Sequence, residues 1–457
     1  MIRRLLVEKQ VILWLWSYCM PLSIRESLAR GPATSKEIQA ATNLCQTAVS
    51  RQLRVMGDSV KKLRSGRSLR YVMTCNAFGG NDKLPLTIVD AHGNTVLAAY
   101  IRPLVHGGFF VESATGMPLL LLGERGDGLY EDLPYFLLDL SPQGFLGRQI
   151  AKEMAAQSPD FPSDPRWWNT NHIGRYLISN GDDLSGNFKF GEQALLRVRR
   201  KPVVVSDEEY PALADSVMSG VIPGSSAGGE QPKFTAFSSE NSSHVIVKFS
   251  PKGEGEIARR WRDILITEYH ATKAIHSENF PAAETRLIEM NGRLFLESQR
   301  FDRSGEYGRM SMVSLQAIDA EFVGLGSNWP QVLDALYKKK LVSWQHVFDA
   351  EFLWCFGDLI NNSDMHLGNL SLAIEGNVFR VLPLYDMCSM GFAPKSGGEV
   401  PPFSFVPMES KRINLDEKTY NSTKDMAYGF WERIAGDKRI SGEFKNFLDK
   451  GNPIDLM

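Results

Sequence analysis

The side chains best suited to chemistry lie in a short polar segment, Asn361-Asn-Ser-Asp-Met-His-Leu-Gly-Asn369. A helix is predicted just before it, from Trp344 to Ile360, because large apolar residues recur there on one stripe. After it, Leu370 to Leu382 has the pattern of an antiparallel hairpin. A hairpin returns the chain to its starting edge, so we expect Asn369 and Asp386 to lie side by side. Amide and carboxylate oxygens suit Mg²⁺, and the pair predicts a metal site.

The spacing inside the polar segment points to a particular chemistry. Asp364 and Asn369 are five residues apart. The segment resembles a kinase catalytic loop, in which an aspartate accepts the hydroxyl proton and an asparagine five positions later binds Mg²⁺. Taken singly, the asparagines are equally suited to caps and turns, and Asp386 to a surface acid.

Two lysines upstream are suited to phosphate. The segment Ser225-Ser-Ala-Gly-Gly-Glu-Gln-Pro-Lys233 has a glycine pair whose backbone N–H groups can approach an anion closely. Lys248 interrupts the apolar strand His244 to Phe249, where a buried ammonium requires an anionic partner. A nucleotide phosphate would be such a partner, and Glu268 in the following helix is a candidate ion-pair partner. The alternatives are an ordinary turn and a snorkelling lysine on an edge strand.

Together these segments resemble the HipA family of bacterial toxin kinases. The family's glycine loop, strand lysine, hinge phrase, catalytic loop and metal ligand correspond to Ser226-Ala-Gly-Gly-Glu-Gln-Pro-Lys233, Lys248, Arg300-Phe-Asp-Arg303, Asp364-Met-His-Leu-Gly-Asn369 and Tyr385-Asp386. Two further segments, Leu133 to Gly144 and Ile178 to Gly186, look like parts of a HipA N-lobe. The resemblance covers residues 85–440.

The resemblance implies an α+β, two-lobed, protein-kinase-like body that transfers the γ-phosphoryl group of ATP to a protein serine or threonine, with Mg²⁺. It implies the catalytic residues Asp364, His366 and Lys248 and the metal ligands Asn369 and Asp386. The residues implied to bind ATP are Ser226, Ala227, Gly228, Gly229, Lys233, Lys248, Gln299, Phe301, Asp302 and His366. Ser226 is also implied as a site of inhibitory autophosphorylation.

The first eighty residues differ in charge from the remainder. They hold thirteen Lys or Arg and four Asp or Glu, a formal charge of +9, so the rest of the chain carries −11 of the total of −2. A basic segment on an acidic body predicts a polyanionic partner for that segment alone. Five cysteines without a CxxC pair are typical of a reducing compartment. No apolar run approaches the roughly 20 residues of a membrane helix, so we expect a cytoplasmic protein without a membrane partner.

The pattern within the basic segment predicts a winged helix-turn-helix. A first helix is capped at Thr34 or Ser35, and a second covers Gln46 to Met56. Val60 to Met73 alternates about Ser65-Gly66 as a hairpin. Its basic residues and the outward residues of the second helix are candidate DNA ligands, namely Gln46, Thr47, Ser50, Arg51, Arg54, Lys61, Lys62, Arg64, Arg67 and Arg70. A small interaction domain with a solvated basic face is the alternative.

The predicted organisation is a winged helix at 1–80, an N-lobe at 81–300 and a helical C-lobe at 301–457. The ordinary HipA member lacks the winged helix and pairs with a separate DNA-binding antitoxin. The expected partners are therefore DNA and a protein substrate, with an antitoxin and a homodimer left open.

Two other functions stay open. One is a Mg²⁺-dependent nuclease that damages DNA delivered by the first domain, because carboxylate metal sites also serve nucleases. The other is a nucleotide-sensing transcriptional regulator with an inactive kinase body. The glycine loop and Lys248 favour ATP, and the intact Asp364 and Asp386 count against an inactive body.

Overall fold

A computed structural model describes residues 21–65, 68–219, 231–395, 397–408 and 415–457. The first part forms a small unit with its own apolar core. Its helices are α1 (Ile24–Ala29), α2 (Ser35–Thr42) and α3 (Gln46–Met56). Its strands β1 (Ala33–Thr34), β2 (Val60–Ser65) and β3 (Ser68–Met73) form a sheet in the order β1-β3-β2.

Local sequence explains where the helices of this unit begin and end. The Thr34 side chain caps α2 in a capping box with Glu37, as predicted for this position. Asn43 ends α2 in a left-handed conformation, φ 56°, which asparagine tolerates well. Val49 and Leu53 of α3 are buried against α1 and β3. The two predicted helices and the hairpin strands are confirmed.

The middle of the chain is built on an antiparallel sheet in the order β7-β6-β5-β4-β8. Its strands are β4 (Leu84–Val89), β5 (Thr95–Pro103), β6 (Phe109–Ser113), β7 (Leu129–Tyr130) and β8 (Phe188–Phe190). The accompanying helices are α4 (Tyr135–Leu138), α5 (Gly144–Gln157), α6 (Thr170–Asn180) and α7 (Glu192–Leu196).

A second sheet follows in the order β9-β10-β11-β13-β12. Its strands are β9 (Val204–Val205), β10 (Lys233–Ser238), β11 (Ser243–Phe249), β12 (Thr285–Met290) and β13 (Arg293–Gln299). Helix α8 (Tyr210–Met218) covers one face, where Val247 and Phe295 are buried. Helix α9 (Glu256–Ser277) covers the other. Since side chains alternate along a strand, Lys248 faces α9.

The C-terminal part is mainly helical. Its helices are α10 (Leu315–Phe322), α11 (Trp329–Lys338), α12 (Trp344–Leu359), α13 (Glu417–Gly436) and α14 (Gly442–Leu448). Its short strands are β14 (Arg303–Ser304), β15 (Gly308–Arg309), β16 (Val313–Ser314), β17 (Ser371–Glu375) and β18 (Val378–Val381). The helix predicted before the polar segment and the hairpin predicted after it are both confirmed.

One large apolar core runs across the boundary predicted at residue 300. It joins the middle sheet to the C-terminal helices. The ring of Tyr135 lies 5.4 Å from that of Phe322, and Asp139 accepts a hydrogen bond from the backbone N–H of Ser314 at 2.8 Å. The middle sheet therefore shares its core with the C-terminal part. The second sheet contributes Leu294 and Leu296 of β13 to the same core, and its α8 side has a smaller cluster of its own. The domain boundaries stay a prediction.

The N-terminal unit is docked on the middle sheet through the hairpin β2–β3. Leu63 and Val72 pack against Leu104. Arg102, fully buried on β5, binds Asp58 at 2.9 Å beside this contact. Apolar packing and a buried cation thus hold the two together. Within the described ranges, no helix combines the length and the apolar character needed to span a membrane.

Candidate active site

A buried lysine joins two carboxylates on the α9 side of the second sheet. Lys248 is 6% exposed. Its Nζ donates to both carboxylate oxygens of Glu268 at 2.6 and 2.7 Å and to Oδ1 of Asp386 at 2.6 Å. The predicted ion pair with Glu268 is confirmed. Burial opposes the charged form, but the carboxylates of Asp386 and Glu268 raise the pKa of Lys248 above its ordinary value, so the ammonium stays charged.

A second buried lysine lies directly opposite the first. Lys233 is paired with Lys248 in the antiparallel register of β10 and β11, so both side chains lie on one face of the sheet. Burial raises the pKa of Glu268, and the charge of Asp386 adds to this effect. Burial acts the same way on Asp386, but Lys248 and Lys233 outweigh it and lower the pKa of that carboxyl. Asp386 is therefore the more firmly ionised of the two acids.

The predicted catalytic loop begins where α12 ends. Asn361 follows the helix in a left-handed conformation, φ 60°. The Asn362 side chain accepts a hydrogen bond from the backbone N–H of Asp364 at 3.1 Å, and the Asn369 amide donates to the backbone carbonyl of Asp364 at 2.7 Å. Two asparagine side chains thus fix the backbone on both sides of Asp364. Its carboxylate is 52% exposed and accessible to a substrate.

His366 lies at the exposed edge of the same loop. Its Nδ1 accepts from the backbone N–H of Gly368 at 3.0 Å, and its backbone carbonyl accepts from the indole N–H of Trp329 at 2.9 Å. Its Nε2 is 3.9 Å from Oδ1 of Asp364, beyond hydrogen-bond distance. The ring orientation is therefore set by the loop, and Nε2 remains accessible to a ligand.

The two ends of the hairpin β17–β18 adjoin, as the sequence predicts. The Tyr385 hydroxyl donates to the backbone carbonyl of Gly368 at 3.0 Å and shares a hydrogen bond of 2.8 Å with the hydroxyl of Ser371. Gly368 and Tyr385 directly precede Asn369 and Asp386. The tyrosine therefore ties the catalytic loop to the segment that carries Asp386, a role that spacing alone did not reveal.

The backbone at Asp386 is strained. Its φ is 57°, a left-handed conformation that costs a residue other than glycine about 1–3 kcal/mol unless its surroundings enforce it. The bond to Lys248 is one such constraint. Strain of this kind clusters at functional sites. We therefore interpret it as a sign that the carboxylate must point to one particular place.

The donor set at this place fits Mg²⁺. Among the described residues, no group of three or more His, Cys, Asp or Glu side chains is arranged to hold a metal ion. Mg²⁺ needs no such group, because it usually takes one or two protein oxygens and completes its shell with water and phosphate. The Asp386 carboxylate and the Asn369 amide oxygen are ligands of that type. Their role as metal ligands stays a prediction.

The predicted hinge lies at the end of β13. Gln299 is the last residue of this strand, and the ring of Phe301 lies 5.7 Å from that of Tyr385. Asp302 is buried, and its carboxylate accepts from Nε and Nη2 of Arg300, both at 2.9 Å. This carboxylate is engaged by protein donors. The predicted contacts of Gln299, Phe301 and Asp302 with ATP stay predictions.

Part of the predicted ATP site falls outside the described residues. It consists of Ser226, Ala227, Gly228 and Gly229, and it includes the predicted autophosphorylation site. Lys233, which follows this segment, is described and is 3% exposed.

The predicted DNA-binding residues divide into two groups. Those exposed on α3 and the hairpin are Gln46, Thr47, Ser50, Arg51, Arg54, Lys62 and Arg70. Lys61 instead points toward the middle sheet, where its Nζ binds Asp58 and, at 3.1 Å, Glu112. Its side chain is only 11% exposed, and it shares a strand face with the buried Leu63. The side chain of Arg64 and all of Arg67 lie outside the described part of the chain.

One buried group of charges has no counterpart in the sequence predictions. Arg303 binds Asp302 and, at 3.0 Å, Asp183, and Arg309 binds Asp183 at 3.0 Å. The local signals were the phrase Arg300-Phe-Asp-Arg303 and the segment Ile178 to Gly186, which contains Asp183. Asp183 lies more than a hundred residues away, so no local pattern connects it to the arginines.

The chain is similar to known proteins over most of its length. Residues 80–199 match the family described as YjjJ-like toxin, middle domain, and residues 225–443 match the HipA-like C-terminal domain. Over 438 residues the chain is 34% identical to toxin YjjJ of Escherichia coli strain K12, an alignment that covers 93% of this chain and 96% of that protein.

The fold is similar to that of a chain in the solved complex of HipA, HipB and operator DNA from Shewanella oneidensis MR-1. The TM-score is 0.53 at 16% identity, covering 82% of this chain and 96% of that one. This likeness concerns the fold, which is a mixed α+β fold resembling HipA. The resemblance read from the motifs is confirmed, and the chain belongs to the family of YjjJ-like toxins with a HipA-like C-terminal domain.

Proposed function

We propose that this protein is a kinase that transfers the γ-phosphoryl group of ATP to a serine or threonine hydroxyl of a protein, and that its N-terminal unit binds DNA. The observation that carries the kinase proposal is the contact of Lys248 with both Glu268 and Asp386. Protein kinases need a strand lysine paired with a helix glutamate, together with an aspartate placed to bind the metal. The three residues present that combination in one buried cluster.

The two carboxylates bound to Lys248 would play different roles. The Glu268 side chain is 4% exposed, whereas that of Asp386 is 26% exposed. Glu268 is therefore placed to hold the ammonium in position. When ATP arrives, its phosphates would replace Asp386 as an anionic partner of Lys248. Asp386 would then be available to bind a metal ion. Lys233, opposite Lys248, would add a second positive charge to the phosphates.

In the proposed reaction the acceptor hydroxyl oxygen attacks the γ-phosphorus. The bond between the γ-phosphorus and the oxygen that bridges it to the β-phosphate breaks, and ADP leaves. The Asp364 carboxylate orients the hydroxyl and accepts its proton. Asn369 and Asp386 would hold Mg²⁺, which neutralises phosphate charge when bound. His366, accessible beside Asp364, would contact the nucleotide. Positioning and charge neutralisation would supply most of the rate enhancement.

The N-terminal unit is proposed to be a winged helix that binds DNA. Helices α2 and α3 with the hairpin β2–β3 have the corresponding order. Arg51 and Arg54 are exposed on α3, the helix that would enter the major groove, and Lys62 is exposed on the hairpin that would serve as the wing. The +9 charge of residues 1–80 supports a polyanionic partner.

Two features are proposed on the family resemblance alone. Phosphorylation of Ser226 would add a charge of about −1.5 to −2 beside the phosphate site and so oppose ATP binding. An antitoxin and a second copy of the chain are the further partners that the resemblance leaves open.

The proposal is tested by two incubations of the purified full-length protein with Mg²⁺. One contains γ-labelled ATP and a mixture of cell proteins, the other supercoiled plasmid. We expect label on serine or threonine of a protein and an intact plasmid. Nicked plasmid without label transfer would identify a nuclease instead. ATP binding without either reaction would identify a nucleotide-sensing regulator.

A further inference from the structure

A cavity of about 590 Å³ lies between the middle part of the chain and the outer end of the second sheet. Phe237 and His244, at the turn between β10 and β11, form part of its wall. Among the described residues, neither Lys233 nor Lys248 lines it. His244 is four residues from Lys248, about 13 Å along the strand. The cavity therefore lies apart from the two lysines of the candidate active site, although Arg300 of the predicted hinge lines it, and its volume is typical of small-molecule sites.

Two buried arginines, Arg300 and Arg309, line the inner wall, and a third, Arg303, binds the same carboxylates. Arg300, Arg303 and Arg309 are 5%, 8% and 6% exposed. They share two carboxylates, because Asp302 binds Arg300 and Arg303 while Asp183 binds Arg303 and Arg309. Burial, together with the charge of Arg300, lowers the pKa of Arg303 to about 9, as expected where guanidinium groups lie close together.

One buried donor in this wall lacks an acceptor, and so do donors near it. Nε of Arg309, which lines the cavity, and Nε of Arg303, which does not, are buried and have no hydrogen-bond partner among the described residues. Fully buried Lys189, also outside the lining, has one long hydrogen bond, 3.4 Å, to the carbonyl of Gly181. Burial, then Arg309 and Arg303, lowers its pKa well below the ordinary value. Buried donors are normally satisfied, so this region is suited to an acceptor that carries negative charge.

The mouth of the cavity adds two exposed cations. Arg200 and Lys201 line it, are exposed, and form no ion pair within the described part of the chain. The acidic lining residues do not cancel these charges. Asp182 is paired with Arg197 at 2.9 Å, Asp183 is shared by two arginines, and Glu153 and Glu306 are exposed to solvent.

The remaining wall combines polar residues, among them Asn180 and His244, with an apolar surface. Met154, Val205 and Phe237 are buried lining residues, and Ile150 and Leu213 are half-buried. A bare inorganic anion would leave this surface unused. A ligand with both a phosphate group and an apolar or planar body would use both walls, since small-molecule sites combine apolar lining with a few placed polar groups.

We infer that this cavity binds a phosphorylated small molecule of the nucleoside phosphate class. Its phosphate would lie against Arg309 and the rim cations Arg200 and Lys201, and its base against Phe237. The site is independent of the proposed transfer of a phosphoryl group. A ligand there would connect strand β15, which carries Arg309, to the middle part of the chain, which carries Arg200 and Lys201.

The test is equilibrium dialysis of labelled ADP, in EDTA, against the full-length protein. Wild type is expected to bind two ADP per chain. Lys248→Met should weaken the active site only. The double substitution Arg200→Gln/Lys201→Gln should weaken the other site about tenfold or more, because it removes two charge-assisted contacts without touching the buried arginines. The matched control Lys338→Gln/Lys340→Gln removes two exposed charges far from the cavity and should change neither. Arg309→Lys is a second variant, at a buried residue that lines the cavity. It retains the positive charge but removes the Nε–H donor, so it tests the contribution of that donor to binding.

The outcomes separate this inference from the kinase proposal. A single ADP whose binding depends on Lys248 and ignores Arg200 and Lys201 would overturn the inference and leave the kinase intact. Binding that depends on Arg200 and Lys201 but not on Lys248 would support it even if the kinase proposal failed. Inorganic phosphate should compete at this site at least about tenfold more weakly than ADP. Equal competition would overturn the nucleoside assignment.

Discussion

Two groups of charged side chains differ in how firmly carboxylates hold their buried cations. In the active-site cluster, Lys248 and Lys233 face Glu268 and Asp386, two cations with two carboxylates. In the hinge cluster, three arginines share the two carboxylates of Asp302 and Asp183. In the first cluster one cation, Lys248, bridges two carboxylates, whereas in the second one carboxylate, Asp183, is shared by Arg303 and Arg309.

The chemistry of the cations explains the difference. An ammonium is a compact charge on a flexible stem and can exchange one carboxylate for another anion. A guanidinium is planar and binds carboxylates in a fixed fork, as Arg300 does with Asp302 through two bonds of 2.9 Å. The lysine cluster is therefore suited to a reaction cycle, and the arginine cluster to holding the hinge in one conformation.

Asp302→Ala should have the largest effect on stability. It leaves three buried guanidinium groups with one carboxylate, and an uncompensated buried charge typically costs about 3–5 kcal/mol. We expect the free energy of unfolding, measured by urea denaturation, to fall by that amount. The control Asp334→Ala removes an exposed pair with Lys338 and should cost at most about 0.5 kcal/mol. Equal losses in the two variants would show that the hinge cluster is not a stabilising element.

Lys248→Met should have a smaller and pH-dependent effect. It leaves Glu268 and Asp386 as neighbouring carboxylates, each of which raises the pKa of the other. A group whose pKa is raised on folding contributes stability that is present below its unfolded pKa and is lost as pH rises through the folded pKa.

The variant should therefore be less stable than wild type by about 1–3 kcal/mol at pH 8, and the difference should shrink toward pH 5. Unfolding midpoints at the two pH values measure this, with Lys338→Met as the control. A loss of the same size at both pH values would mean that the two acids do not sense each other.

The residues of the candidate active site lie in local patterns of the sequence, whereas those of the hinge cluster come together only in the fold. Lys248, Asp364, Asn369 and Asp386 each lie in a pattern with recognisable spacing, and the predicted hairpin gave a geometric reason for the last two to meet. The bond between Lys248 and Asp386 crosses 138 residues and had no such signal.

The pairing of Asp183 with the arginines depends on how the middle part packs against the hinge. A local pattern contains no information about such packing. Lys61 is a similar case in part. Strand alternation places it on the face of the buried Leu63, but its partner Glu112 is 51 residues away and is brought near by the docking of the hairpin.

In the N-terminal unit, the ammonium of Lys61 is bound by carboxylates and that of Lys62 is exposed. We therefore expect a modest difference between the two residues in their contribution to DNA binding. Lys62→Gln should weaken duplex DNA binding by the full-length protein several-fold and reduce the slope of log affinity against log salt by about 1. Lys61→Gln should change both quantities less, because its ammonium is already bound to Glu112 and Asp58. Fluorescence anisotropy across a salt series measures both. Equal effects of the two substitutions would place Lys61 on the DNA-binding face.

Phosphoryl transfer by Asp386→Asn and Asp364→Asn, measured with γ-labelled ATP and Mg²⁺, tests the proposed active site most directly. Each substitution keeps the size of the side chain and removes one carboxylate from the proposed reacting centre. We predict that either variant transfers label at least about a hundredfold more slowly than wild type. Asp334→Asn, with an exposed carboxylate that pairs with Lys338 outside the loop, should transfer at the wild-type rate. Transfer at the wild-type rate by Asp386→Asn or Asp364→Asn would contradict the assignment of the active site to this cluster.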